Sequence, residues 1–511
     1  MRKGIKAVIS CIITVSLTVC FLFYLTDLME RKSSDIKYSD FFKQDEDFDV
    51  LFMGSSHVIN AVYPMELWDD YGIVSYNFGG HANQMPTTYW VMENALEYTS
   101  PKVVVIDCCL LAGEQKSYDV FSYLHLSLDA FPLSITKIKA VWDLLDDPVL
   151  AEAIENGTAL ESGEPRTKIG LLWNYSVYHS RWTEIEQSDF ELNQTYEKGA
   201  ESRIAVTSGK LNKIPAEKKM TPGTTGERYL RRMIEDCQNR GIEVLLTYLP
   251  FPAKERSQRE ANYVYDIAEE YGVNYINFLD TDLINYETDL YDAASHLNPS
   301  GARKVTDYLG KYLISNYDIS DQRNNEDYSF WYEDYERYNE MKIRNIVECS
   351  SIAEYLMLLA GEDVDITIDI RDKDIFNNTC MVDLFGNLGV NTDELTDDTD
   401  FIIIRNSSSG AAVVINGLRK EGKEIGTALG KVQIFYDTDG SHHNGERGRY
   451  SLYIDGNECM VGNTVDGTSL QINVTKGDEQ IDTVKFEYTV DSKTADVITS
   501  AANRVQPIIP E

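Results

Sequence analysis

Between residues 49 and 316, short apolar runs alternate with longer amphipathic segments, and this alternation constrains the fold more than any other feature of the chain. The apolar runs have the length of strands, and the segments between them have helical spacing. Gly241 and Gly272 each stand where a helix C-terminal cap belongs, directly before an apolar run. Strands that alternate with helices predict a parallel, doubly wound α/β sheet. The predicted strands are 49–54, 73–78, 102–108, 243–249 and 273–278, and the predicted helices are 85–99, 224–240, 256–271 and 299–315.

An uncharged run of 19 residues, Ala7–Leu25, precedes this pattern. As a helix it would span roughly 28 Å, close to the thickness of a bilayer core. Arg2, Lys3 and Lys6 come before it, and cations there favour a cytoplasmic N-terminus. No small-residue cleavage site follows the run, although a cleaved signal peptide is the rival interpretation. We therefore expect residues 1–32 to form a transmembrane signal anchor, with the rest of the chain outside the cell.

The formal net charge of −36 argues against nucleic acid or anionic lipid as the main partner, because both would be repelled. No C-x-x-C motif occurs, so the eight cysteines give no zinc or redox signature. In an exported protein, a disulfide among Cys349, Cys380 and Cys459 stays open.

A chain of 511 residues is long enough for more than one domain. We assign 40–316 to the α/β domain, with a mostly helical insertion at 112–222 that follows the third strand and is a candidate substrate cover. A polar linker at 317–345 leads to a β-rich domain at 346–511. Its predicted strands are 364–370, 400–405, 411–416, 431–436, 450–455, 469–474 and 483–490, with turns at Asp439-Gly440 and Asp455-Gly456-Asn457.

The first strand ends in Gly54-Ser55-Ser56-His57, a turn with hydroxyl groups at its tip. Ligands bind in open α/β sheets at the carboxyl ends of strands, so Ser56 is a candidate nucleophile. The alternative is structural, because Ser55 or Ser56 would also serve as the cap of the helix that follows.

His296 supplies the base that a serine nucleophile needs, and Asp292 is the carboxylate that would orient it. Both follow the last predicted strand, so we expect them at the same end of the sheet as Ser56. The alternative is that Asp292, Asn298 and Ser300 only cap the next helix.

A glycine-rich loop, Asn77-Phe78-Gly79-Gly80-His81-Ala82-Asn83, follows the second strand at the same edge. Glycines let backbone amides approach a substrate oxygen, although a plain loop would read the same way. Asn83 is a candidate substrate-binding residue. His179, Arg181 and Trp182 in the insertion are further candidates, since an aromatic ring and an arginine suit a sugar or an acyl carbonyl.

Together, Gly54-x-Ser56, the Asn-x-Gly-Gly turn at 77–80 and Asp292…His296-Leu297-Asn298 resemble the motifs of the SGNH (GDSL-type) hydrolase superfamily. The resemblance implies a flavodoxin-like sheet and a triad of Ser56, His296 and Asp292. It also implies oxyanion donors at the backbone N–H of Ser56 and near Gly80. With its apolar N-terminus, the chain looks closest to the anchored bacterial cell-surface branch, which includes the D-alanyl transfer protein of teichoic acid modification and the alginate O-acetylation proteins.

Two positions depart from the family pattern. The family's acid stands three residues before the histidine, whereas Asp292 stands four before it. The family's Gly-x-Asn-Asp block, which supplies an oxyanion asparagine, is replaced by Ile106-Asp107-Cys108-Cys109. An aspartate would repel an oxyanion, so we expect the Asp107 carboxylate to point elsewhere.

These features predict a membrane-anchored, extracytoplasmic O-acyltransferase that acts on a cell-envelope or secreted polysaccharide. The alternatives are an esterase that removes acyl groups from such glycans and a non-catalytic glycan-binding scaffold. No nucleotide or acyl-CoA motif is visible, so we expect no cofactor and no metal, with the acyl donor delivered by a multispanning membrane O-acyltransferase. Residues 346–511 resemble the interleukin-like EMT inducer fold in swapped order, which implies an extracellular accessory or sugar-binding module.

Overall fold

The expected five-stranded sheet forms the centre of the first half of the chain in a computed structural model of the protein. The model describes residues 2–30, 41–42, 47–112, 120–146, 168–190, 196–370, 372–405, 411–419, 423–436, 449–463 and 469–504. The strands are β1 (Val50–Gly54), β2 (Ser75–Gly79), β3 (Val103–Asp107), β4 (Glu243–Tyr248) and β5 (Asn274–Asn277). All are parallel, in the order β2-β1-β3-β4-β5. This is the order of flavodoxin-like doubly wound sheets, in which the ligand site lies where the strand order reverses, beside the first strand.

Helices flank this sheet, and their apolar faces explain their positions. Those of the α/β region are α2 (Ser56–Ala61), α3 (Pro64–Tyr71), α4 (Met85–Ala95), α9 (Thr225–Asn239), α10 (Glu255–Tyr271) and α11 (Pro299–Asn316). Strand residues alternate between two separate apolar cores: Leu51 and Met53 belong to one, and Val50 and Phe52 belong to the other. Because both faces of the sheet are covered, β3 and β4 are continuous apolar runs, as expected.

The insertion contains α5 (Val120–Leu128), α6 (Ile135–Leu145), α7 (Lys168–Leu172) and α8 (Tyr175–Tyr178), followed by 3₁₀ turns at His179–Glu184 and Gln187–Phe190. Its mostly helical character is thus confirmed for the described parts of 112–146 and 168–190. Residues 200–224 have almost no regular secondary structure, and Thr207 pairs with Leu290 in an antiparallel bridge.

The N-terminal run is helical as part of α1 (Arg2–Glu30). Within it, Gly4–Thr26 is long and apolar enough to cross a membrane, a property that a membrane anchor and a signal sequence share.

The polar segment after α11 leads into the helix α12 (Trp331–Glu348), which begins in the second half of the predicted linker 317–345. Trp331 is fully buried, and its ring lies 5.3 Å from that of Trp68 on α3. This helix therefore packs on the α/β region and is not a free spacer.

The C-terminal region is an antiparallel β structure, as expected, with two packed sheets. One contains β15-β14-β13-β6-β7-β8 and the other β12-β11-β10-β9. The strands are β6 (Asp365–Ile370), β7 (Thr399–Arg405), β8 (Ala411–Asn416), β9 (Glu424–Thr427), β10 (Gly430–Tyr436), β11 (Arg449–Ile454), β12 (Asn457–Asn463), β13 (Ser469–Lys476), β14 (Glu479–Val490) and β15 (Val497–Arg504). Helices α13 (Ile352–Leu359) and α14 (Thr379–Asn387) cover the larger sheet.

The turn predicted after β11 is confirmed, since Asp455 and Gly456 both have positive φ (49° and 84°) and join two paired strands. The turn predicted at Asp439-Gly440 lies outside the described residues. All eight cysteines are described and none forms a disulfide, so no bridge joins Cys349, Cys380 and Cys459. Each of these three thiols instead faces a backbone carbonyl.

Candidate active site

The two serines after β1 have different roles. Ser55 caps α2, and its Oγ accepts a hydrogen bond from the His57 N–H. Ser56 is the first residue of the helix, and its Oγ lies 2.8 Å from His296 Nε2. The capping role, which the sequence leaves open between Ser55 and Ser56, therefore belongs to Ser55, and Ser56 is the residue whose hydroxyl faces His296.

The start of α2 is fixed against β2 by the Asn-x-Gly-Gly turn. Asn77 Nδ2 donates to the carbonyl oxygens of Val58 and Val62 at 2.8 Å, and its Oδ1 accepts the Gly79 N–H. A Cβ on Gly79 would stand 2.6 Å from the Ile59 nitrogen, so only glycine allows the helix to approach this closely. Asn77 and Gly79 thus hold in place the turn that carries Ser56.

His296 lies at the tip of a hairpin. Leu290 pairs with Leu297 in an antiparallel bridge, and the Tyr291 N–H donates to the His296 carbonyl. Asn298 closes the hairpin as the N-cap of α11, while its Nδ2 donates to the Thr288 carbonyl at 2.7 Å. Asn298 therefore takes the capping role, and Asp292 is left available for the histidine.

Asp292, His296 and Ser56 form one continuous hydrogen-bonded chain. Asp292 Oδ2 lies 2.5 Å from His296 Nδ1, and the opposite ring nitrogen faces Ser56. The four-residue spacing is accommodated because the N–H groups of Ala294 and Ser295 donate to Asp292 Oδ1 and bend the loop around it. Partial burial acts to raise the pKa of Asp292, but the hydrogen bonds from His296 and these two N–H groups outweigh it and lower the pKa.

His57 is a neighbour of this chain that the sequence did not single out. Its ring lies 5.5 Å from the His296 ring and 4.6 Å from Phe251. Its Nδ1 lies 3.0 Å from Ser55 Oγ. Burial, followed by repulsion from His296, lowers the pKa of His57 to about 3, so it stays neutral at ordinary pH. Its place directly after the candidate nucleophile was the only sequence signal.

The Gly80 amide does not occupy the position expected of it as an oxyanion donor. Its N–H donates to the Gly54 carbonyl at 3.1 Å, which continues the pairing of β2 with β1. Asn83 is buried beside Gly80, and its Oδ1 accepts the Ser127 hydroxyl at 2.5 Å. Among the described residues, Asn83 Nδ2 has no hydrogen-bond acceptor. The unused donor at this loop is therefore the Asn83 side chain.

Asp107 lies at the end of β3, and its carboxylate accepts the Leu249 N–H at 3.0 Å. The expectation that it points to another partner is thus in keeping with the structure. Burial raises the pKa of Asp107 to about 7, although the N–H groups of Leu249 and Cys109 oppose the shift.

His179, Arg181 and Trp182 lie together on the 3₁₀ turn His179–Glu184, which packs against α1 and α8. Their proposed contact with substrate stays a prediction. One open cleft of about 700 Å³ lies elsewhere, among residues of α4, α6 and α9. The assignment of the site consequently rests on hydrogen-bond geometry and not on a cavity.

No protein-family model, curated protein or solved structure matches this chain. The site is therefore interpreted from its own residues: a hydroxyl, an imidazole and a carboxylate in sequence, at the sheet edge where α/β proteins bind ligands.

Proposed function

We propose that the protein is a membrane-anchored, extracytoplasmic serine O-acyltransferase that acts on a cell-envelope or secreted polysaccharide. The observation that carries this proposal is the Ser56–His296–Asp292 chain. Ser56 meets His296, which lies 240 residues later in the sequence, and Asp292 contacts the other side of the imidazole, in the order that nucleophilic acyl transfer requires.

In the first step, His296 Nε2 takes the Ser56 proton as Oγ attacks the acyl carbonyl of the donor. His296 then gives this proton to the leaving oxygen, which departs and leaves an ester on Ser56. In the second step, His296 takes the proton of a glycan hydroxyl, the glycan oxygen attacks the Ser56 ester, and the proton returns to Ser56 Oγ. Asp292 holds the Nδ1–H and stabilises the imidazolium that forms in each step.

Each tetrahedral intermediate needs hydrogen-bond donors for its oxyanion. The Ser56 N–H lies in the first turn of α2, where amides have no acceptor within the helix. We assign the second donor to Asn83 Nδ2, which is buried next to the Gly79–Gly80 turn without an acceptor among the described residues. It would replace the asparagine that the SGNH pattern places after the third strand.

The choice of transfer over hydrolysis rests on the resemblance to anchored SGNH-type proteins and on the apolar helix α1. The strand order and the position of Ser56 after β1 support an SGNH-type fold. Helix α1 would hold the site at the extracytoplasmic face of the membrane, where an acyl donor delivered by a multispanning O-acyltransferase can reach it. The acceptor would be a hydroxyl group of a glycan.

The test compares O-acyl content of envelope glycans in cells that carry wild type, Ser56→Ala or Ser55→Ala. Loss of glycan acylation with Ser56→Ala, together with its retention in Ser55→Ala, is expected. Unchanged acylation in Ser56→Ala cells would exclude the transferase.

Two further outcomes are informative. An increase in acylation in Ser56→Ala cells would identify the esterase, because the same triad removes acyl groups when water is the acceptor. Failure of the purified full-length protein to react with a fluorophosphonate at Ser56 would favour the non-catalytic scaffold.

A further inference from the structure

The end of the apolar N-terminal helix is enclosed by the insertion. Helix α1 packs against α8 and against the two 3₁₀ turns, His179–Glu184 and Gln187–Phe190. The Phe23 ring of α1 lies 5.9 Å from that of Trp173, which in turn stacks on Tyr175. The insertion is therefore the part of the molecule that adjoins the emerging helix.

Three large apolar side chains on the two 3₁₀ turns and on the neighbouring helix α7 are exposed to solvent. Trp182 is 68% exposed, Phe190 is 58% exposed and Ile169 is 70% exposed. Trp182 and Phe190 lie on the turns that contact α1, and Ile169 lies on α7, which contacts α8. Large apolar side chains that are exposed on adjoining elements are typical of a surface that contacts a membrane or a partner. We call these three residues the juxtamembrane surface.

The depth of this surface follows from the sequence of α1. The uncharged run Ala7–Leu25 ends two residues after Phe23, so a bilayer around that run has its outer boundary near Phe23. Trp173, in contact with Phe23, is then at the boundary, where Trp and Tyr are enriched in membrane proteins.

We infer that the juxtamembrane surface rests in the interfacial layer of the bilayer that α1 crosses. The occupant is lipid, because the surface adjoins α1, whose residues 4–21 are exposed in the protein. Zwitterionic lipid suits it, since a chain of net charge −36 is repelled by an anionic surface. Trp182 accordingly contacts lipid and not substrate.

This inference rests on the proposed anchoring and deepens the proposed function. Two hydrogen bonds at α5 connect the part of the insertion that contacts α1 with the loop that carries Asn83. The Tyr178 hydroxyl on α8 donates to the Asp129 carboxylate at the end of α5, and Ser127 on α5 donates to Asn83. The insertion thus contacts both α1 and the loop that carries Asn83, so an insertion held at the bilayer would keep this loop near the membrane from which the acyl donor is delivered.

The test uses the full-length protein in phosphatidylcholine nanodiscs, with lipid that is either unmodified or brominated near the carbonyl end of the acyl chain. The difference in tryptophan fluorescence between wild type and Trp182→Phe gives the emission of Trp182. Loss of most of this emission in brominated lipid is expected, because bromine quenches only by contact. Equal emission in both lipids would overturn the inference.

A matched control carries Trp182→Phe together with Phe435→Trp. Phe435 is similarly exposed, at 55%, but lies on β10 of the C-terminal region. Its emission should be equal in both lipids; quenching there as well would mean unspecific adhesion and would also overturn the inference.

Ser56→Ala should quench as wild type does, so this readout does not depend on catalysis. Mass spectrometry of the nanodisc protein separates the remaining possibilities. If α1 is present and Trp182 stays bright, the inference fails alone; if α1 has been removed, the proposed anchor fails with it.

Discussion

Two His–Asp pairs lie in different regions of the molecule, and their difference shows what makes such a pair chemically useful. In the insertion, His125 Nδ1 contacts Asp129 at 2.9 Å; at the sheet edge, His296 Nδ1 contacts Asp292 at 2.5 Å. Both pairs are four residues apart.

The two pairs differ in what surrounds them. His125 and Asp129 are buried, and the Tyr178 hydroxyl also donates a hydrogen bond to the Asp129 carboxylate. His296 is partly exposed, and its second nitrogen faces the Ser56 hydroxyl. A buried and satisfied pair stabilises a fold, whereas a pair that ends on an accessible hydroxyl can move a proton.

The largest difference is expected when each histidine is replaced. His296→Gln should lower the rate of Ser56 labelling by a fluorophosphonate by on the order of 10⁶-fold, because no group is left to take the serine proton. His125→Gln should leave this rate close to wild type. Equal losses in both variants, at equal melting temperature, would remove the distinction between the two pairs.

The aspartates should separate in the same direction with a smaller effect on rate. Asp292→Asn should slow labelling up to about 10⁴-fold at neutral pH, because the amide no longer holds the imidazole in the reactive tautomer. Asp129→Asn should instead cost about 1–3 kcal/mol in the free energy of unfolding, measured by denaturant titration, since buried donors lose their acceptor. A labelling rate in Asp292→Asn as high as in wild type would show that Asp292 does not orient His296.

The sequence was sufficient for the parallel sheet and for the meeting of Ser56 with His296. The predicted bounds of all five strands lie within a few residues of the observed ones. The signal is strongest for β3 and β4, because strands covered on both faces are continuous apolar runs. A serine, a histidine and an aspartate at carboxyl ends of strands necessarily reach one edge.

Other features depended on contacts that a local pattern does not contain. The edge strands β9, β12 and β15 are absent from the sequence prediction, because their apolar residues are interrupted by polar or small ones. The sequence predicts an oxyanion donor near Gly80, whereas the Gly80 N–H donates to the Gly54 carbonyl and continues the pairing of β2 with β1. Only the packed structure shows that Asn83 Nδ2 has no hydrogen-bond acceptor among the residues that the structure describes.

Asn83→Ala tests whether that donor serves the site at the sheet edge or only packing near the insertion. Loss of one oxyanion donor typically costs about 10²–10³-fold in kcat, so turnover of an aryl acetate by the full-length protein should fall by this order with little change in KM. Ser127→Ala is the matched control, because it removes the other contact of the same side chain and spares Nδ2. A fall of equal size in Ser127→Ala would make Asn83 a packing residue.

The smallest effect concerns Asp107, whose pKa is shifted in the opposite direction to the pKa of Asp292. Burial raises the pKa of Asp107 to about 7, whereas the pKa of an aspartate in an unfolded chain is about 3.9. Between these values the folded protein binds the extra proton, so the contribution of Asp107 to stability falls as pH rises. Asp107→Asn keeps an oxygen acceptor for the Leu249 N–H and removes the titration. The melting temperature of the variant should therefore gain a few degrees on wild type between about pH 4 and pH 8. Glu260, whose pKa burial also raises to about 7, is present in both proteins and cancels in the difference. A difference that does not change with pH would mean that folding does not raise the pKa of Asp107.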